Sequence, residues 1–326
     1  MRFVSRLAAL SALLLTSMPV FADKPKEHIS FETTFQPVPG GLLLRTMPPV
    51  QAGIVHFGST VQLDGVPVDL ELIARLEYTN GSGPFSGFIT LRWPNGDVLV
   101  TRYVGGAEVN PDSSSTVTGK LTVIGGEGKY LHAGGVGTVL GYRDGVFGSP
   151  VVYDVNLNVH FSSKGRDSDR GDKNRRSRDD SDGFSFKGRG KAIYLETWLT
   201  SLPSEQVLTD VGPGGRLRYG IVRLTGPATY KGSPVSVEVA AAVEYINGDG
   251  PYSGFMNFDF ADGTVLCRYE GTAERDNAGN TVVRGVLEPY VGTGAYVNVR
   301  GTGRVVGTRS GAVGSPLENR IELRLR

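Results

Sequence analysis

The chain has 326 residues, with 34 Lys and Arg against 33 Asp and Glu, so its formal net charge of +1 gives no global pull toward nucleic acid or acidic lipid. Its 46 glycines are about twice ordinary usage, and hydrophobic residues at 39% still allow packed cores, a balance that points to a turn-rich β protein. The single cysteine, Cys267, excludes a disulfide framework within the chain and a zinc site built mainly from thiolates.

In chain order, residues 1–22 come first. Arg2 and Arg6 precede an apolar run from Leu7 to Val20, and Val20-Phe21-Ala22 forms an A-x-A-like cleavage site. The expectation is an export signal, and hence a periplasmic or secreted mature protein. No later segment is long and apolar enough to suggest a membrane span. Residues 23–161 divide into short β-like runs. In one of them Val68, Leu70, Leu72, Ala74, Leu76 and Tyr78 share a face against Asp69, Glu71, Arg75 and Glu77. Asn95-Gly96 marks a tight hairpin turn. Residues 162–189 follow, rich in Lys, Arg and Asp and poor in large apolar residues. They read as a disordered charged linker with a root-mean-square span of about 30 Å, which would let the flanking units move independently. Within the linker, Arg170-Gly171-Asp172 spells an adhesion tripeptide, which such a tract produces easily by accident.

Residues 190–326 contain eight further runs, near 191–200, 217–224, 235–246, 252–260, 264–274, 281–289, 294–308 and 317–325. Ile321, Leu323 and Leu325 alternate with Glu322 and Arg324, and Asp262-Gly263 repeats the hairpin signal. These runs are a second copy of the first. NGSGPFSGF at Asn80–Phe88 returns as NGDGPYSGF at Asn247–Phe255, an offset of 167 residues, and Gly53-Ile54-Val55 returns as Gly220-Ile221-Val222. Beyond a one-residue gap the offset is 166, pairing Arg102-Tyr103 with Arg268-Tyr269, Tyr130 with Tyr296 and Arg143 with Arg309. Strands apolar on one face are satisfied by closing the sheet. The expected fold is therefore all-β: two tandem eight-stranded antiparallel β-barrels joined by a disordered charged linker, with a two-sheet sandwich as the alternative.

The order Phe258-x-Phe260-x-Asp262-Gly263-x-Val265, then Val291-Gly292-Thr293-Gly294-Ala295-Tyr296, then Gly301-x-Gly303-x-x-x-Gly307 resembles the allene oxide cyclase and dirigent-protein barrels. The resemblance implies an eight-stranded barrel whose cavity handles small hydrophobic molecules such as fatty-acid epoxides, coupled phenols or polyketides. It carries over no catalytic residue.

The four histidines, His28, His56, His132 and His160, all lie in the first copy, so a histidine catalyst or metal site cannot be common to both. Cys267 has no counterpart either and reads as a packed residue. Neither a cofactor nor a metal is expected. The polar residues common to both copies are Glu71 and Glu238, Glu77 and Glu244, Arg102 and Arg268, Tyr103 and Tyr269, Tyr130 and Tyr296, and Arg143 and Arg309. Glu71 and Glu77 share the face opposite Leu70, Leu72 and Leu76, which places them outside a barrel. The candidate ligand-binding set, placed at a barrel mouth, is Tyr78, Arg102, Tyr103 and Tyr130 in the first copy, with Tyr245, Arg268, Tyr269 and Tyr296 in the second. The first expectation is an exported tandem barrel protein that binds small hydrophobic molecules, with cyclase or isomerase activity left open. The alternative is a non-catalytic surface or matrix interaction module that uses two copies for avidity, and oligomerisation is left open.

Overall fold

The computed structural model describes residues 27–145, 148–161, 190–201, 206–276, 280–311 and 315–326, together with Ala278 and Val313. The expected export signal and the charged linker, with its Arg-Gly-Asp tripeptide, lie outside the described residues. Regular structure is β throughout apart from short 3-10 turns, and among the described residues no helix is long and apolar enough to cross a membrane.

The first copy forms β1 (Glu27–Met47), β2 (Val50–Leu63), β3 (Val66–Thr79), β4 (Gly83–Arg92), β5 (Val98–Val109), β6 (Ser115–Glu127), β7 (Ala133–Arg143) and β8 (Val151–Phe161). Each strand pairs antiparallel with the next, and β1 also pairs with β8, which closes the barrel. Alternation dictates the interior: Val68, Leu70, Leu72, Ala74 and Leu76 of β3 are all buried in one core with Phe35, Phe57 and Leu157. The 21-residue β1 serves both neighbours. Its first half pairs with β8 and its second half with β2, with a bulge between Pro37 and Leu42 where it changes partner.

The second copy forms β9 (Lys191–Leu199), β10 (Val207–Val211), β11 (Leu217–Tyr230), β12 (Ser233–Ile246), β13 (Gly250–Phe260), β14 (Gly263–Arg275), β15 (Thr281–Gly292), β16 (Gly301–Arg309) and β17 (Leu317–Leu325). These make a nine-stranded sheet in the order β10-β11-β12-β13-β14-β15-β16-β17-β9, where eight strands were expected. The extra strand arises because the counterpart of β1 is divided: β9 keeps the pairing with the last strand, and β10 keeps the pairing with β11. The curled sheet brings its ends together at an isolated bridge, where Thr200 N donates to Thr225 O (2.9 Å) and Thr225 N donates to Thr200 O (2.8 Å). The run expected over 294–308 also shortens, to Gly301–Arg309, because Gly294–Tyr296 is a 3-10 turn.

The repeated NGxGPxSGF peptide has a physical explanation. Asn80 and Asn247 adopt φ of 52° and 55°, and Gly81 and Gly248 follow at 80° and 93°, the left-handed pair that a tight β3–β4 or β12–β13 turn requires. The later glycine allows a close approach between strands. A Cβ on Gly87 would lie 1.9 Å from the Ile73 carbonyl oxygen, and one on Gly254 would lie 2.0 Å from that of Ala240.

The two units are docked on one another, not free to move independently. Three apolar clusters join them, and the contacts follow a pseudo-twofold axis. Ile54 and Ile73 pack with their own counterparts, Ile221 and Ala240. Phe88 and Val100 receive Leu217 and Tyr219, while the counterpart patch, Phe255 and Leu266, receives Val50 and Ala52. This is the self-complementary surface of a C2 dimer, built within one chain. Burying large apolar side chains on this scale stabilises by about 1.5–3 kcal/mol per fully buried residue.

Candidate functional site

Three groups of side chains account for the polar residues that the two copies share. The first lies inside each unit, toward the end formed by the β3–β4 turn or its counterpart. In the first barrel, Tyr78, Tyr103, Tyr153 and Arg143 border a cavity of about 30 Å3 walled by apolar residues such as Phe57 and Leu72. In the second unit, Tyr245, Tyr252, Tyr269 and Arg309 border a cavity of the same size. Tyr103 Oη donates to Tyr153 Oη at 2.9 Å, and Arg143 Nη2 donates to Ser115 Oγ at 3.2 Å. The second unit exchanges positions: Asn319 stands where Tyr153 would be, and Tyr252 stands at the place of Phe85, its ring 4.7 Å from that of Tyr269.

Burial pushes the Tyr78 phenol up to about 12, with the Arg143 charge pulling the other way. The matched pair behaves alike, with Tyr245 pushed up to about 12 by burial against the pull of Arg309. Burial likewise raises Tyr103 and Tyr269, so these phenols are neutral hydrogen-bonding groups at ordinary pH. Among the described residues, no carboxylate lines either cavity.

The second group closes the opposite end. Tyr130 sits in the 3-10 turn after β6, its ring 4.8 Å from Trp93 and 5.9 Å from Phe161, and its hydroxyl donates to Glu27 Oε1 at 2.8 Å. Tyr296 occupies the matching turn, 5.0 Å from Phe260. The segment Gly292-Thr293-Gly294-Ala295-Tyr296 and its counterpart ending at Tyr130 thus each supply a plug. Tyr130 and Tyr296 therefore do not join Tyr78, Tyr103, Tyr245 and Tyr269 in one site.

The third group lies outside, between the units. Arg102 and Arg268, expected at a barrel mouth, are instead interface residues, because strand alternation sends them outward when Tyr103 and Tyr269 point in. Arg102 donates to Glu244 through Nε (2.9 Å) and Nη2 (2.5 Å). Its counterpart Arg268 donates through Nε to both oxygens of Glu77 at 2.9 Å, adds Nη2 to Oε1, and reaches Glu288 at 3.0 Å. The two bidentate pairs are related by the same pseudo-twofold axis as the apolar clusters. Arg75 adds a bridge to Glu270 at 3.5 Å and lies over the Phe255 ring at 5.4 Å. Glu238 pairs with Arg45 of the first unit and with Arg223 at 2.8 Å in its own, and Tyr219 shares a buried hydrogen bond of 2.8 Å with Thr90.

Cys267 is fully buried, and burial raises its thiol well above the ordinary range. His56 lies 3.0 Å from Glu71, on the outer face, as Arg223 does with Glu238 at the equivalent positions. Among the described residues no three His, Cys, Asp or Glu side chains are grouped as metal ligands.

The interior polar residues that the ligand set omitted are Tyr153 and Tyr252, each present in one copy only, and the matched pair Arg143 and Arg309. For the two arginines, recurrence in both copies was the available signal. Comparison of the chain with family models, curated proteins and solved structures finds no match.

Proposed function

We propose that the protein is an exported, non-catalytic interaction module made of two barrels of the allene oxide cyclase and dirigent type, docked into a single body. In this reading the nine-stranded sheet acts as the second barrel, completed where Thr200 meets Thr225. The observation that carries the reading is the filled interior. Each cavity of about 30 Å3 has room for a water molecule or two, whereas a small-molecule site needs roughly 300 Å3 or more. The shared acids that general acid–base chemistry would require, Glu77 and Glu244, are engaged in ion pairs outside the barrels.

A titration of the mature chain with the neutral hydrophobic probe Nile red tests this reading. The expected result is no saturable fluorescence increase. Micromolar binding that disappears when the cavity is filled by Ala241→Leu would overturn it in favour of the second reading, a small hydrophobic ligand held inside the barrels with cyclase or isomerase activity open. That second reading draws its support from the matched arginine and tyrosine lining of the two cavities. Export is tested separately, by N-terminal sequencing of protein recovered from the periplasm or medium; the expected first residue is Asp23.

A further inference from the structure

We propose that the second unit carries a binding site for one multiply charged oxyanion, a phosphate ester or a polycarboxylate, in the arginine-lined recess at the end of the unit where Arg309 lies. The recess has a volume of about 370 Å3, within the range of small-molecule sites. Four guanidinium side chains line it: Arg216 ahead of β11, Arg218 within β11, Arg275 at the end of β14 and Arg309 at the end of β16, with Asn247 and Thr281 beside them. Among the described residues, no carboxylate is in the lining.

Only one of the four is neutralised nearby. Arg218 donates to both oxygens of Asp210, at 2.5 and 2.6 Å. Among the described residues, no carboxylate forms a salt bridge with Arg216, Arg275 or Arg309. The acids in neighbouring turns are engaged with backbone: Asp249 accepts from Arg275 N at 2.7 Å, and Asp276 accepts from Ala278 N and Asn280 N. Arg309 is 6% exposed, and its buried Nε has no hydrogen-bond partner. Burial lowers the Arg309 pKa against the pull of Tyr245, and the Arg218 and Arg275 charges lower it further, so like-charge repulsion is already present in the recess. Several guanidinium forks in one concave site suit the spread charge and multiple acceptor oxygens of a phosphate or of clustered carboxylates.

The first unit serves as an internal control. It keeps Arg143 at the position of Arg309, but Pro49, Gln51 and Val109 stand where the second unit has Arg216, Arg218 and Arg275. A purely structural role for the barrel-end arginine is therefore met without the other three. The turn packing shows the same replacement: Val109 lies over Gly81 in the first unit, and Arg275 lies over Gly248 in the second.

The proposal rests on reading the chain as a binding module, and its test uses charged probes, so it can fail independently of the Nile red experiment. The mature full chain is titrated calorimetrically with pyrophosphate and, separately, with citrate, at about 20 mM salt where screening is weak. The expected result is one site per chain with micromolar affinity for at least one probe. Pyrophosphate alone identifies a phosphate ligand, and citrate alone a polycarboxylate. Arg216 and Arg275 are exposed, so Arg216→Gln and Arg275→Gln leave the fold intact, and together they should weaken binding by about tenfold or more. Failure of both probes to bind below about 1 mM, or equal affinity in the double variant, overturns the proposal.

Discussion

At the scale of single residues, the interior polar groups are defined by burial, and their titration follows from it. Tyr78 and Tyr245 have folded-state pKa values near 12 against an ordinary value of 10.0. A phenol whose pKa is raised on folding contributes stability that is fully present below pH 10 and is lost as pH rises through 12, because the unfolded chain releases its protons first. Denaturant midpoints measured between pH 9 and 12.5 should therefore fall across that window, by roughly 3 kcal/mol for each of the two tyrosines. In Tyr78→Phe and Tyr245→Phe together, the decline should shrink by the share of those two groups only, because other buried phenols such as Tyr103 and Tyr269 are raised as well. Cys267 gives a second expectation at this scale. Its buried, neutral thiol should resist alkylation by iodoacetamide at pH 8 in the native chain and react after unfolding, which mass spectrometry would read directly.

Strands and turns were largely legible in the sequence because their signals are local. The alternation of β3, the Asn-Gly turn and the duplicated NGxGPxSGF peptide translate into elements at the expected places, whereas the turn expected at Asp262-Gly263 falls one residue earlier, with Gly263 already paired to Phe260. The division of β1's counterpart into β9 and β10 was not legible, since the residues on either side of the break retain strand pairing to different neighbours. The repeated Ser-Gly-Phe shows how a motif can be structural. Substituting Gly254 by alanine would force a Cβ onto the Ala240 carbonyl, and crowding of this kind destabilises by about 1–3 kcal/mol. Gly87→Ala should do the same against Ile73. Thermal melts of both variants, compared with an alanine at Gly58, where an added Cβ would meet nothing closer than 3.6 Å, would check that the loss comes from strand approach and not from the alanine itself.

For the whole molecule, the docking of the two units was the part that sequence reading missed, although a signal existed. Ile54, Ile73, Phe88 and Val100 interrupt the polar outer faces of their strands, and Ile221, Ala240, Phe255 and Leu266 do so at the matching positions. Doubly apolar strands in both copies are what an internal interface requires, but alternation assigns only one of the two faces to a barrel core. The same alternation separates Arg102 from Tyr103, so the two could not share a barrel mouth. The ion pairs lend themselves to a double-mutant cycle. Glu77→Ala and Arg268→Ala should each destabilise the folded chain by about 2–4 kcal/mol, with a coupling energy above about 1.5 kcal/mol for so close a bidentate pair. Additive effects of the two substitutions, by urea unfolding, would show that the pair contributes little. Glu244→Ala with Arg102→Ala should show the same signs with smaller effects, because Arg102 is 45% exposed and its pair is more strongly screened.

That self-complementary surface also bears on concentration. Were the halves separate molecules, their pairing would be second order and would dissolve on dilution, and each half would compete for copies of itself as well as for its counterpart. Joined in one chain, they meet at a fixed effective concentration that dilution cannot reduce. The duplicated chain should remain paired at nanomolar levels where residues 23–161 and 190–326, supplied as two polypeptides, come apart. Freed from having to match each other at every position, the halves could also diverge away from the shared face, as the arginines confined to the second unit have done.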